Sequence, residues 1–167
     1  MKKLLAGFAI MASVVPSSFA LAATPSADAR VATCTERVAN IPTFLASLAT
    51  RHTNNSARMQ KSIDKLSAFI TKAQAAGSDT SALEVNLTSL KASQTQIESD
   101  YTALVNHLTS LESFSCSTET ISTWITSRAT TKTYFDTMKV DVDVIKALRT
   151  DIRANVHTIV QAMKVAK

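Results

Sequence analysis

The chain has 167 residues, 46% of them apolar and 19% charged, with a formal net charge of +5 and five per cent aromatics. That is enough apolar material for one ordinary core, which excludes a disordered chain and matches the size of a single domain. Two cysteines and three histidines exclude a cysteine-dense scaffold, and the sparse aromatics exclude an aromatic stacking platform for nucleic acid.

Residues 1–22 read as a secretory leader. Lys2 and Lys3 form its positive start, Leu4 to Val15 its apolar core, and Ala20-Leu21-Ala22 a small-x-small cleavage site. The apolar run of about 12 residues is short for a bilayer-spanning helix, so cleavage is expected and a retained anchor is the alternative. No comparable run follows, and the mature chain is expected to have no transmembrane segment. Cleavage leaves about 145 residues and removes two lysines, so the working charge is smaller than the whole-chain figure. The destination is expected to be the periplasm or the exterior of a bacterial cell.

Residues 23–33 are small and polar, with Pro25 and Ser26, and are expected to be a flexible lead-in to one helical domain over 34–167. Beyond the leader the chain holds one glycine, Gly77, and after Pro25 one more proline, Pro42. Hairpins need turn residues, so this scarcity predicts long helices and no sheet.

The first helix is expected over about 34–76. Val38, Ile41, Leu45, Leu48, His52, Asn55, Met59, Ile63, Leu66, Ile70 and Ala73 recur at helical steps along one seam. Pro42 must either open its regular part or kink it. Gly77 stops it as the left-handed residue after a helix, and Ser78-Asp79 complete the turn. A second helix is expected over about 80–114, with Leu83, Leu87, Leu90, Gln94, Ile97, Tyr101, Leu104, Leu108 and Leu111 alternating in steps of four and three. Ser81-Ala82-Leu83-Glu84 has the form of a capping box, and Asp79 is the competing cap.

A tight turn between two long amphipathic helices makes an elongated, coiled-coil-like antiparallel hairpin. Folding at Gly77 brings Cys34 and Cys116 to the same open end, each about 40 residues from the turn, so a single disulfide is expected there. The third helix, about 118–166, starts at the hydroxyls of Ser117 or Thr118 and carries Ile121, Trp124, Ile125, Tyr134, Met138, Ile145, Leu148, Ile152, Val156, Ile159 and Met163 on its apolar face. Thr126 to Thr133 is its weakest stretch, and Val140-Asp141-Val142-Asp143-Val144 alternates like a strand but lies within a helical period. The expected fold class is therefore all-α, a helical hairpin completed by a third long helix into a three-helix bundle.

No metal-ligand spacing surrounds His52, His107, His157 or the cysteines, and one mature glycine cannot build a phosphate loop or a nucleophile elbow. The expectation is no enzyme, no cofactor and no metal. His52, Asn55 and Gln94 fall on apolar seams, with Asn55 or Met59 opposite Gln94 and His52 opposite Ile97 or Tyr101. Such a polar layer sets register and pairing, the alternative being a ligand or proton-transfer site at His52.

On the third helix Lys139, Lys146, Arg149, Arg153, His157, Lys164 and Lys167 share an arc of about 80°, with Asp136, Asp143 and Asp151 outside it. One reading is a solvated flank whose long stems cover the core edge. The other is an anion-binding stripe for phospholipid, cell-wall polymer or nucleic-acid backbone, without sequence-specific readout.

The segment Cys34-Thr35-Glu36-Arg37-Val38, the turn Ala76-Gly77-Ser78-Asp79-Thr80-Ser81-Ala82-Leu83, and Cys116 closing the second arm resemble a group of uncharacterised secreted bacterial helical proteins. The resemblance covers most of the mature chain and is architectural. It implies an exported hairpin with a third helix, and it implies no activity or site. Small periplasmic holdase chaperones are similar in being exported, helical and basic, but their characteristic repeats are not found. The expected function is a non-enzymatic interaction or structural protein of the cell envelope or exterior, chaperone-like in one version. It acts through a protein partner or self-association, and the alternative is an anionic-surface binder.

Overall fold

The computed structural model describes residues 25–165, so the leader with its Ala20-Leu21-Ala22 site and the terminal Lys167 lie outside the described residues. The described chain is all-α, with α1 (Ala27–Ala75), α2 (Ser81–Leu111) and α3 (Ile121–Val165). The strand-like alternation around Val142 is helix, because the surrounding 3.6-residue period places Ile145 and Met138 in the interior on either side of it.

Helix α1 begins at Ala27, seven residues ahead of the expected Cys34, and this corrects the flexible lead-in for residues 27–33. The cause is local. Ser26 Oγ accepts from the Ala29 amide at 3.3 Å, and the Ser26 carbonyl accepts from the Arg30 amide at 3.1 Å. Arg30 also reaches back to the Pro25 carbonyl at 3.0 Å. Pro42 lies inside α1 on its exposed side. The Val38 carbonyl thereby loses its proline-side donor, and the helix continues around the gap.

At its other end α1 closes on Gly77, whose φ of 76° is left-handed. The Ser78 amide donates to the Ala73 carbonyl at 3.0 Å and the Gly77 amide to Gln74 at 2.8 Å, the paired bonds of a Schellman end. The next cap differs from the expected Ser81–Glu84 box. Asp79 Oδ1 takes the Ser81 amide at 2.9 Å, while Glu84 accepts from the buried Thr80 hydroxyl at 2.7 Å and from the Gln74 amide at 2.6 Å. Glu84 thus ties the turn to both helices. Before α3, Ser117 Oγ accepts the Thr120 amide at 3.3 Å, and Thr120 donates its hydroxyl to the Ser115 carbonyl at 2.6 Å. These bonds hold residues 118–120 as a turn, so regular helix starts at Ile121.

The described residues divide into two compact units, each taking a segment of all three helices. Residues 25–52 and 100–138 form the disulfide unit. Its core joins Ile41 and Leu48 of α1, Leu104, Leu108 and Leu111 of α2, and Trp124 and Met138 of α3. Cys34 and Cys116 are bonded there, with Cα atoms 5.9 Å apart and Cys34 fully enclosed. Trp124 tilts against Phe114 at 5.7 Å, and Phe44 meets Phe135 edge-on at 6.0 Å. Aromatic pairs in these geometries add to plain area burial.

Residues 53–99 and 139–165 form the turn unit. Leu66, Ile70, Ala73, Leu83 and Ile159 make one cluster, and Met59, Ile63, Leu90 and Ile145 make another. Each fully buried aliphatic side chain of this kind contributes roughly 1.5–3 kcal/mol by leaving water. The three-helix bundle therefore follows from two amphipathic helices whose seams leave room for a third apolar face. That face is supplied by α3.

Candidate interaction surface

In the disulfide unit His52 stacks on Tyr101 with ring centroids 3.6 Å apart and planes within 6°, and both rings are half-buried. Tyr101 is one of the two partners expected for it. His107, which the pattern left unassigned, joins α2 to α3. Its Nε2 lies 3.1 Å from the Ser127 carbonyl and 3.0 Å from Thr131 Oγ1. Thr131 already donates its hydroxyl to Ser127 at 2.9 Å, so the histidine nitrogen is the donor to both. This imidazole is positioned by its Nε2.

In the turn unit Gln94 donates to Gln60 at 3.4 Å, and Ser56 donates to Glu98 at 2.8 Å; Asn55 is half-buried. These bonds run between α1 and α2 on the rim of their seam.

The cations of α3 also lie in the turn unit. Lys139, Lys146, Arg153, His157 and Lys164 are exposed, while Arg149 is half-buried. Burial, and then the neighbouring Arg153, hold the Arg149 guanidinium below its usual value. One acid joins the stripe, contrary to expectation. Asp143 takes the Lys146 ammonium at 2.7 Å, and that bond together with the charges of Lys146 and Lys139 pulls its carboxyl below the ordinary carboxylate range. The arc argument missed this pair because a lysine stem spans three residues along a helix as easily as four. His157 is engaged by Gln161 at 3.3 Å.

A different part of the turn unit carries features that the seams did not reveal. Ala82, Val85 and Asn86 of α2 and Asp151, Ala154 and Asn155 of α3 line an open groove of about 380 Å³. Asn86 is only 9% exposed, and its amide nitrogen is enclosed with no hydrogen-bond partner. A buried donor without an acceptor costs about 1–3 kcal/mol, so Asn86 weakens the packing of α2 in this unit. Val85, at 66% exposure, stands on its α2 side. The large apolar side chains left exposed in this unit are Val85 on α2 and Val140, Val144 and Val165 on α3, with none on α1. The sequence does hold a signal for this surface, a second heptad-spaced set on α3 beside the core set.

Among the described residues no group of three or more His, Cys, Asp or Glu is arranged to hold a metal ion, and no helix is long and apolar enough to cross a membrane. The disulfide belongs to an oxidising, non-cytoplasmic environment. No known protein family matches the chain, and no curated protein or solved structure shows significant similarity to it.

Proposed function

We propose that the protein is an exported, non-enzymatic helical interaction module of the cell envelope or exterior, akin to the secreted helical proteins its layout resembles. It presents the α2–α3 side of the turn unit to a protein partner. The observation that carries this reading is the placement of every large exposed apolar residue of that unit on α2 and α3, with Val85 lining an open groove between the two helices. Apolar side chains left in water on one side of an otherwise closed core mark a surface that another molecule covers. The disulfide supports export, as does the leader-like stretch with Lys2 and Lys3, since a bond of this kind persists where thiols are not kept reduced. A chaperone-like role is one form of the same reading.

Photo-crosslinkers placed at Val85 and Val144, compared with one at Lys61 on α1, test the proposal inside the producing cell. Protein adducts specific to the first two positions are expected. Adducts as frequent from Lys61, or none from any position, would remove the reading.

A second reading rests on the exposed cations at Lys139, Lys146, Arg153, His157 and Lys164, which share one arc of α3. They would hold an anionic polymer or headgroup layer through screened charge, and the Asp143–Lys146 pair lowers their net field.

A further inference from the structure

We infer that the α1–α3 side of the turn unit binds a linear phosphate chain, gripped between cations of the two helices; this rests on the anionic-surface reading above and names its partner. Helix α1 carries seven basic residues, and six of them, Arg30, Arg37, Arg51, Arg58, Lys65 and Lys72, share one heptad position, with Phe44 the only other residue there. Residues seven apart keep the same neighbour along a packed helix, so this file stays beside one helix. In the disulfide unit that neighbour is α3. Phe44 meets Phe135 at 6.0 Å, and one heptad earlier on each helix stand Arg37 and Arg128. Burial, and then the charge of Arg37, hold the Arg128 guanidinium below its usual value.

The turn unit carries the same arrangement with more charge. Measured from Leu66 of its core at 100° per residue, Arg58, Lys65 and Lys72 lie roughly 80–120° to one side of α1. Ser56, Gln60 and Gln74, whose side chains bond to α2, lie as far to the other side. The file is therefore turned to α3. On α3, Arg149, Arg153 and Lys164 lie roughly 60–120° to one side of Ile152. Asp151 and Asn155, which line the groove against α2, lie to the other, so these three cations are turned to α1. Ile152 packs with Met59 and Ile63, and Ile159 with Leu66 and Ile70. The helices thus run parallel, with Arg149 at the height of Arg58 and Lys164 at that of Lys72. Arg149 is half-buried and the other five cations are exposed. Lys65, Lys72, Arg153 and Lys164 make no salt bridge among the described residues. The one acid between 53 and 75 is Asp64, which accepts from Gln60, and the one between 144 and 165 is Asp151, on the α2 flank.

Charge without an apolar anchor selects the partner. The exposed valines of α3 in this unit, Val140, Val144 and Val165, lie on its other flank. Nothing on the cationic side therefore inserts among lipid tails or fills a pocket on a protein. No exposed Phe, Tyr or Trp stands among the cations to stack a base, so backbone charge alone is read. The six cations span about 21 Å along the helices, or one per roughly 3.5 Å, against about 3.4 Å per charge along one strand of DNA. A single chain of phosphates lying over the seam reaches both rows, and guanidinium and ammonium groups both bind its oxygens.

Titration of the disulfide-intact chain with inorganic polyphosphate, at salt from about 50 to 300 mM, tests this. Wild type should bind with a log–log salt slope of about −4, which is roughly −0.7 for each of six contacts. Lys65→Gln with Lys72→Gln removes two contacts from the α1 row, so the slope should shrink to about −3 and affinity at about 100 mM salt should fall at least tenfold. Lys91→Glu on α2 makes the same change in net charge and should bind within about twofold of wild type. Single-stranded oligothymidylate should show the same dependence on Lys65 and Lys72, and a tighter grip on either polymer names the source of the chain while supporting it. Orthophosphate at equal phosphate concentration should not compete, and vesicles containing anionic lipid should bind at least about tenfold more weakly at the same salt. The substituted side chains are exposed, so circular dichroism should match wild type. Equal polyphosphate binding by wild type and the Lys65/Lys72 variant, full competition by orthophosphate, or vesicles bound as tightly as the polymer overturns the inference. If reversal of Arg149, Arg153 and Lys164 abolishes binding while the Lys65/Lys72 variant binds like wild type, the α3 reading stands and the two-helix grip falls. A wild type that binds none of these probes removes both.

Discussion

Replacing both cysteines with alanine is the sharpest test of how the disulfide unit is held. Cys34 and Cys116 are separated by 82 positions, and the loop they close runs through the whole of α1 beyond Cys34, the Gly77 turn and α2. In the chain-entropy description, closing a loop of that length removes about 4.5 kcal/mol of freedom from the unfolded chain. Cys34 is also fully enclosed among Ile41, Leu108 and Trp124, so losing its sulfur contacts adds roughly 1 kcal/mol. Unfolding entropy of about 2.1 cal/mol/K per residue over about 140 residues amounts to roughly 0.3 kcal/mol/K. Cys34→Ala/Cys116→Ala should therefore lower Tm by about 18 °C when followed by circular dichroism at 222 nm. Wild type heated with a thiol reductant keeps the Cys34 sulfur and loses only the loop closure, so its Tm should fall by about 15 °C. A drop below about 3 °C in both experiments would show that the loop is already closed in the unfolded ensemble, and the entropic argument would fail.

Three further outcomes are expected. Asp79 caps α2, and its carboxyl is held below the ordinary value of 3.8 first by the Ser81 amide and then by the Ser81 hydroxyl. A depressed folded-state value means the cap stabilises fully above the unfolded value and is lost as pH falls through the folded one. Asp79→Asn, which keeps an acceptor, should flatten the dependence of Tm on pH below about 4, and an unchanged slope would exclude this cap as a source. Asn55→Leu with Gln94→Leu should preserve the helical signal and leave Tm equal or higher, because the Gln60–Gln94 bond is long and exposed; loss of a bound metal or of an activity in this variant would instead reveal a site. Arg149→Glu, Arg153→Glu and Lys164→Glu together should abolish retention on heparin and on anionic liposomes with helicity unchanged, and wild-type retention should fall steeply with salt. Equal retention of wild type and triple variant at low salt would leave these cations as a solvated flank.

Much of this molecule is written in local spacing. The steps of four and three from Leu83 to Leu111 dictate α2 whatever surrounds it, because a 3.6-residue helix is the one geometry that brings those leucines to a single stripe. Gly77 forces the reversal, since its left-handed φ is cheap only without a Cβ. Cys34 and Cys116 lie 43 and 39 positions from Gly77, so the reversal brings the two cysteines together. These features need no long-range information. The start of α1 is also local, but it depends on the bond that Ser26 Oγ accepts from the Ala29 amide, which composition masked, as a stretch of small residues around a proline reads like a linker.

Tertiary structure alone decided what each face of α3 does. That helix carries a core seam, a cationic arc and a valine–alanine seam, and periodicity assigns each its direction without saying which one turns inward. The choice depends on complementarity with the groove that α1 and α2 leave, where Ile145 meets Met59 and Leu90, and Ile159 meets Leu66 and Leu83. Once those contacts are made, Val140 and Val144 are left in water. Asn86 is the residue least legible in advance, because an asparagine on a helix surface is ordinary until a neighbouring helix closes over it. Burial is a property of the pair of helices, and a single helix in the sequence does not contain it.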